Sequence, residues 1–497
     1  MCDYGPRQRS PSADRMQTQS TLPAVAATER RRVICVDLDG TLIAGDVLWE
    51  SFISLVQQKP LTALRVAGAL IGGRAQFKRA VSTHARTDAS RLPYREEVLA
   101  ALHEARGQSA HIVLVTAADE IPARAVADHL GIFDEVLASD GRTNLSGRRK
   151  ADALCERYGA GAFDYFGNDW ADVPVWRVSA GARAVCASPR LVRHVSAQRA
   201  LSQIGAPRPG SARALVKAMR PHQWVKNVLV FVPLFASHKV VRPELWMPTL
   251  LTFAAFCLCA SAIYLINDVL DVQADRRHPR KRHRPIAAGH VSIPVSIVAA
   301  AALLVSGLAV AAFGVSLSVA MIAIGYIATT TAYSMFLKRR PVADVFTLTG
   351  LYVVRVFAGG AAIATPPSSW LLGFALFVFL SLAWLKRYAE VAATEGWLAG
   401  RGYRHDDGAW MQAIGTSAGY MAIVVLALYL TAPEVAVLYT RPQVLWLLCP
   451  LFLYWLTRMW FRAGRGLVHD DPVVETLKDR NGYILLALGA LIMLAAI

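Results

Sequence analysis

Asn267, Asp268, Asp271 and Asp275 close a long apolar run, and the chain then turns basic through Arg276, Arg277, His278, Arg280, Lys281, Arg282 and Arg284. If the apolar helix continues to Asp275, Asn267 and Asp271 stack at i,i+4, while Asp271 and Asp275 stand at i+3 and i+7 from Asp268. That spacing collects the oxygen ligands on one face. Carboxylates gathered where a membrane helix meets water suit Mg²⁺ held between protein and a diphosphate. The cations beyond them suit the remaining phosphate charge. A solvated, charged helix end is the plain alternative. It does not account for acids in register, a dense basic run and then Arg284-Pro285-Ile286-Ala287-Ala288-Gly289 in one stretch.

Three more polar regions adjoin apolar segments: Arg220-Pro-His-Gln-Trp224-Val-Lys226-Asn227; Tyr333-Ser334 to Lys338 with Asp344 and Arg355 beyond; and Lys386-Arg387-Tyr388-Ala389-Glu390. Ionisable groups at membrane depth are costly and functional by default. Arg355, between Val353-Val354 and Val356-Phe357, is the clearest case. Trp224 fits an interfacial anchor as well as a site residue. Lys338 to Arg340 fit topology cations as well as phosphate ligands.

These residues resemble the UbiA-type superfamily of intramembrane prenyltransferases, over roughly residues 213–497. Four features resemble its decaprenyl-phosphate phosphoribosyltransferase-like branch: Arg220-Pro-x-Gln-Trp-x-Lys-Asn227, Asp275-Arg-x-His-Pro-x-Lys-x-x-Arg-Pro-Ile-Ala-Ala-Gly289, Tyr333-Ser-x-x-Leu-Lys338 and Asp471-Pro472. The resemblance implies a nine-helix bundle, Mg²⁺ dependence and a lateral opening for a lipid chain. It assigns Asn267, Asp268, Asp271 and Asp275 to Mg²⁺–diphosphate binding, with Asp268 and Asp271 as the catalytic pair. Lys226, Arg276, Lys281, Arg284 and Lys338 are expected on phosphate oxygens, Tyr333 and Arg355 on substrate. Asp344 is expected on sugar hydroxyls or a second metal.

A second constellation opens the chain's other half. Asp37-Leu38-Asp39-Gly40-Thr41 follows the strand candidate Val33–Asp37 and resembles motif one of the haloacid dehalogenase (HAD) superfamily, over about residues 31–195. There one Asp is the nucleophile that forms an aspartyl phosphate, and the second, two residues on, is the acid/base. By the same resemblance Thr116 supplies a phosphate-binding hydroxyl and Lys150 neutralises phosphoryl charge. The fourth motif departs from the pattern. Gly167-Asn168-Asp169-Trp170-Ala171-Asp172 has Asn where an Asp usually helps to bind Mg²⁺, which leaves Asn168, Asp169 and Asp172 as the expected metal ligands beside Asp37.

The elements that must position these groups differ sharply between the halves. Strand candidates at 33–37, 110–116 and 162–167 alternate with helical material, and the stretch 46–92 reads as a helical cap. This is the pattern of an α/β doubly wound HAD-like domain. Residues 1–30 read as a disordered tail without a signal-peptide core, 31–195 as the phosphatase-like domain and 196–213 as a linker rich in Ser, Ala, Arg, Pro and Gly. The rest, 214–497, reads as an all-α polytopic membrane bundle of about nine transmembrane helices, near 224–240, 245–267, 291–311, 315–334, 343–363, 369–386, 410–432, 442–460 and 481–497.

The net charge of +17 concentrates beside apolar segments, at 276–284, 338–340, 386–404 and 458–480. These are alternate loops, as the positive-inside rule expects. Both sites are thereby expected on the cytoplasmic side of the plasma (inner) membrane, and no nucleic-acid motif accompanies the charge. The seven cysteines form no metal-ligand pattern.

The expected function is bifunctional. The membrane domain moves 5-phosphoribose from phosphoribosyl diphosphate to a polyprenyl phosphate with Mg²⁺, and the HAD-like domain removes the 5-phosphate, giving a precursor for arabinose donors. The alternative is transfer of a polyprenyl group from its diphosphate to an aromatic or quinone-precursor acceptor.

Overall fold

The computed structural model describes residues 31–496 apart from 86–87, 141–142, 207–210, 395, 397, 399–400 and 469–471, so the expected tail and Asp471 lie outside the described residues. Six strands form one sheet: β1 (Val33–Val36), β2 (His111–Asp119), β3 (Glu135–Ser139), β4 (Phe163–Gly167), β5 (Gly181–Val185) and β6 (Leu201–Ile204). All pairs are parallel and the order is β3-β2-β1-β4-β5-β6. Parallel strands covered by helices on both faces are apolar on both faces. In β1, Ile34 and Val36 enter one core with Leu114 and Phe166, while Cys35 enters the opposite one with Val113 and Tyr165. Strand order reverses between β1 and β4, and the crevice at such a switch point is where doubly wound sheets hold ligands. Asp37 leaves β1 there, and Asn168 leaves β4.

The expected strands near 33, 110 and 162 are present. The stretch taken as linker contributes β6, so the sheet ends at Ile204 rather than before 196. The cap is three helices, α1 (Val47–Gln58), α2 (Pro60–Gly68) and α3 (Arg74–His84). Asp46 starts α1 by accepting the backbone N–H groups of Leu48 and Trp49 at 3.0 and 3.3 Å. Leu55, Ala63, Phe77 and Val81 close the cap's own core.

Seven helices among the described residues are long and apolar enough to cross a membrane, not the nine expected. Those the site needs are α4 (Trp246–Leu270), α5 (Leu317–Met335), α6 (Ala343–Ala362) and α7 (Ser369–Ala392). The first expected helix is instead a 3-10 stretch, Pro221–Phe231, followed by a short α-helix, Val232–Ala236. Proline stands near the start of each piece, at Pro221 and Pro233. The last expected helix is a shorter one, Arg480–Ala496.

The 3-10 stretch is clamped to its neighbours. Trp224 Nε1 donates to Ser261 Oγ at 2.9 Å, so the indole is a strut between this segment and α4. On α6, any Cβ at Gly359 would collide with the Val230 carbonyl. The bare glycine thus lets the segment reach α6 and brings Asn227 to Arg355.

The cap packs on the membrane domain. Ile53 and Trp49 of α1 join Ala262, Leu265 and Val269 of α4 in one apolar cluster. Gln57 Nε2 donates to the Leu270 carbonyl. Gly289, at φ 73°, sits so close to the Ala44 carbonyl that a side chain would not fit. The loop after Asp39 therefore rests on the end of the Arg284–Gly289 motif.

Candidate active sites

The acid cluster of the membrane domain keeps its register across a helix break. Helix α4 ends at Leu270 and a short helix, Val272–Arg277, resumes after Asp271. The Asp271 N–H still donates to the Asn267 carbonyl and the Asp275 N–H to the Asp271 carbonyl, both at 2.8 Å. Asn267, Asp268, Asp271 and Asp275 consequently line one cavity of about 560 Å³.

Two guanidiniums hold the cluster. Arg220 donates to Asp268 Oδ1, and Arg284 donates to Asp268 Oδ1 at 3.2 Å and to Asp275 Oδ2 at 2.6 Å. Asp268 Oδ2 is buried and has no hydrogen-bond partner. A buried carboxylate oxygen without a donor is costly, and a cation answers that cost. Asp271 is half-exposed, with Lys338 Nζ 3.9 Å away. Among the described residues no group of three or more His, Cys, Asp or Glu could hold a metal ion by itself, so these oxygens fit Mg²⁺ only as a cation shared with a diphosphate.

At the apolar end of the cavity Arg355 is nearly sealed, 5% exposed. Its Nε donates to Asn227 Oδ1 at 2.8 Å, its Nη2 to the Tyr326 hydroxyl at 3.2 Å and its Nη1 to the Leu351 carbonyl. Lys226 Nζ stands 5.9 Å from the Tyr352 ring centroid. Lys281, Tyr333 and Lys338 also line the cavity.

Two expected ligands lie elsewhere. Arg276 turns out of the cavity, donating to Glu50 Oε2 of the cap at 2.6 Å and to the Ala287 carbonyl at 3.1 Å. Asp344 is fully buried, its oxygens taken by Arg387 Nε at 2.5 Å and the Tyr403 hydroxyl at 2.6 Å. It orients Arg387 and does not line the cavity. Sequence reasoning passed over Glu50 and Arg401, which carried no signal beyond charge, and gave Arg220 no role of its own. Arg220 belongs to the Arg-Pro-x-Gln-Trp motif, which was signal enough.

In the soluble domain Lys150 Nζ donates to Asp37 Oδ1 at 2.7 Å and to the Tyr165 hydroxyl at 2.9 Å. Tyr165 in turn donates to Asp172 Oδ1 at 2.7 Å. Burial pushes the Asp37 carboxyl up to about 6 against the pull of Lys150. Burial opposes the Lys150 ammonium, yet the carboxylates of Asp37 and Asp172 raise its pKa. Asp39 accepts the Val47 N–H at 2.8 Å, and burial, with Asp46 nearby, holds its pKa well above the usual range. One carboxylate beside an ammonium and a second whose ionisation burial disfavours suit a nucleophile and an acid.

Thr116 is buried, its hydroxyl accepting the Ala118 N–H at 3.0 Å. Thr41 Oγ1 donates to Asn168 Oδ1 at 3.1 Å, which keeps that carbonyl beside Asp37. Asp172 is spent on structure: its Oδ2 accepts the N–H groups of Asn168 and Asp169 at 2.9 and 3.1 Å. Asp169 is exposed and caps the turn at Trp170. Asp37 and Asn168 therefore fit a cation, and Asp169 does not join them. From the cap, Lys78 Nζ reaches Asn144 Oδ1 at 2.8 Å and the Ala117 carbonyl at 2.5 Å, next to Thr116.

Comparison with known proteins decides the family. Residues 34–177 match the haloacid dehalogenase-like hydrolases and residues 228–466 match the UbiA prenyltransferase family. The y4nM protein of Sinorhizobium fredii is 34% identical over 467 residues, covering 93% of this chain and 90% of that one. The chain belongs to the UbiA prenyltransferase family. This UbiA protein carries an N-terminal HAD-like domain, and it is an integral membrane enzyme. The nodulation protein NoeC of Azorhizobium caulinodans is 34% identical over 291 residues, 56% of this chain and 92% of that one. Decaprenyl-phosphate phosphoribosyltransferase of Mycobacterium tuberculosis is 42% identical over 185 residues, 36% of this chain and 61% of that enzyme.

Proposed function

We propose that the membrane domain transfers 5-phosphoribose from phosphoribosyl diphosphate to a polyprenyl phosphate. The charge of the cavity carries this reading. Nine lysines and arginines line it (Arg220, Lys226, Lys281, Arg284, Lys338, Arg339, Arg355, Lys386 and Arg401) against three aspartates (Asp268, Asp271 and Asp275). Prenyl transfer to a neutral aromatic acceptor brings one diphosphate. Phosphoribosyl transfer brings a diphosphate and two further phosphates, each of about −1.5 to −2. The likeness to decaprenyl-phosphate phosphoribosyltransferase supports the same reading.

The reaction breaks the bond between the anomeric carbon and the diphosphate and forms one from that carbon to a lipid phosphate oxygen. Asn267, Asp268, Asp271 and Asp275 would hold Mg²⁺, which neutralises the leaving diphosphate. Arg220 and Arg284, which stand on Asp268 and Asp275, would be placed to hold phosphate oxygens beside it. Lys226 and Arg355, among Tyr326 and Tyr352, hold the lipid phosphate at the apolar end. A lipid phosphate is already anionic, so no strong base is needed.

The HAD-like domain then acts on the sugar 5-phosphate. Asp37 attacks phosphorus, Asp39 gives its proton to the leaving sugar oxygen, and water releases inorganic phosphate from the aspartyl ester. Packing of α1 on α4 supports a shared face for the two sites, and the alternate basic loops favour the cytoplasmic face of the plasma (inner) membrane for it.

Membranes given labelled phosphoribosyl diphosphate, polyprenyl phosphate and Mg²⁺ test this. Labelled lipid from wild type but not from Asp271→Ala is expected, with its 5-phosphate lost only when Asp37 is intact. Consumption of a prenyl diphosphate with an aromatic acceptor, and no labelled lipid, would establish prenyl transfer instead.

A further inference from the structure

A second polar wall of the membrane cavity is built around Tyr333, at the end of α5. Its hydroxyl oxygen accepts two guanidinium N–H groups, from Arg387 Nη2 at 2.8 Å and from Arg401 Nη1 at 2.7 Å. Two donors fill that oxygen's acceptor capacity. The phenolic proton must therefore point elsewhere, and no acceptor for it exists among the described residues. Tyr333 and Arg401 both line the cavity.

The arrangement is fixed from behind. Arg387 is fully buried, with Asp344 at 2.5 Å on Nε and Glu390 at 2.5 Å on Nη1. Tyr403 holds Asp344 in turn. Two carboxylates thus aim one guanidinium, and that guanidinium aims a hydroxyl. Arg401 Nε lies 3.7 Å from Glu390 Oε2, so the carboxylate that helps to aim Arg387 also stands beside Arg401.

We propose that Tyr333 and Arg401 form a subsite for a phosphate monoester, separate from the diphosphate end at Asp268 and Asp271. A neutral O–H donor beside a planar guanidinium matches the several acceptor oxygens of a terminal phosphate. Lys386 and Arg339 also line the cavity and add positive potential. Of the two monoesters in the proposed reaction, the subsite takes the sugar 5-phosphate. The lipid phosphate belongs with Lys226 and Arg355, which lie among aromatic rings. This rests on the phosphoribosyl reading above and adds the group that tells a phosphoribosyl donor from a prenyl diphosphate.

The test uses detergent-solubilised full-length protein with Mg²⁺. Binding of ribose 5-phosphate and of inorganic pyrophosphate is measured by calorimetry, and KM is measured for each substrate. Losing a hydrogen bond to a charged group costs roughly 1.5–3 kcal/mol, about a tenfold or larger loss of affinity. Tyr333→Phe and Arg401→Gln are each expected to weaken ribose 5-phosphate by that factor and raise KM for phosphoribosyl diphosphate. Pyrophosphate binding and KM for polyprenyl phosphate stay unchanged. Tyr333→Phe keeps the ring and its packing, so it guards against loss of fold in the other variant.

Equal weakening of pyrophosphate, or no effect on ribose 5-phosphate, would overturn the subsite while leaving the reaction standing. A raised KM for polyprenyl phosphate alone would give the wall to the lipid and likewise overturn it. Wild type that binds no ribose 5-phosphate yet consumes a prenyl diphosphate would remove the phosphoribosyl reading itself, and the subsite with it.

Discussion

Arg276 and Glu50 form an ion pair of 2.6 Å between the membrane domain and the cap of the soluble domain. Their side chains are 11% and 3% exposed, and Glu50 Oε1 has no hydrogen-bond partner. Arg276 follows Asp275 of the membrane site, and Glu50 lies one turn from Asp46 at the start of α1. Removing one partner of a buried pair costs about 3–5 kcal/mol because the other charge is left uncompensated. Arg276→Ala is therefore expected to loosen docking by that order, seen as a lower melting temperature and faster proteolysis between the domains. The double variant Arg276→Ala/Glu50→Ala should recover part of the loss. Strict additivity in that cycle would show that the two side chains do not couple.

The same pair makes docking sensitive to pH. Burial raises the Glu50 pKa above the ordinary 4.5; Arg276 pulls it down and Asp46 pushes it up. The folded chain thus holds this proton more tightly than the unfolded chain. The stability it contributes is present below 4.5 and is lost as pH rises through the higher folded value. Wild type should accordingly lose melting temperature relative to Glu50→Gln across that window. Parallel profiles for the two proteins would count against a raised Glu50.

What could be read from the sequence follows the range of the interactions. The cluster from Asn267 to Asp275 is set by helical spacing, and the backbone bonds that preserve it across the break at Asp271 are local. The strand before Asp37 was legible for the same reason: four apolar residues ending in an acid. Arg276 was misplaced because its partner is 226 residues away, and a basic run gives no sign of which cation will leave it. Asp344 was misread because its burial depends on Arg387, 43 residues on. Strands β3 and β6, half-exposed at the sheet edges, lack the apolar run that betrays β1. The 3-10 turns of Pro221–Phe231 and the close approach of Val230 to Gly359 of a distant helix are features that apolarity does not register.

Asp268 offers a sharper test of the cation site than Asp271, since only Asp268 has a buried oxygen without a partner. Asp268→Asn keeps the shape but removes the charge that Arg220 and Arg284 share. Transfer is expected to fall by roughly 10²–10³ in kcat, the scale for losing one preorganised electrostatic group. Raising Mg²⁺ should restore part of it. A variant with unchanged Mg²⁺ dependence would move the cation elsewhere in the cavity.

In the soluble domain, the substitution to make is Asn168→Asp. Asn168 Oδ1 already faces Thr41, and Thr41 reaches Asp37 at 3.4 Å, so a carboxylate there would stand beside the nucleophile with no change of shape. Two charged oxygens bind a hard cation more tightly than one charged and one neutral. The Mg²⁺ concentration for half-maximal phosphatase activity is expected to drop about tenfold in Asn168→Asp, the order that a change in ligand charge produces. Activity of Asp37→Asn should stay at background at any Mg²⁺ concentration, because no charge at position 168 replaces the nucleophile. If Asn168→Asp leaves the Mg²⁺ requirement where it was, position 168 is not a ligand, and its carbonyl serves only to hold Thr41.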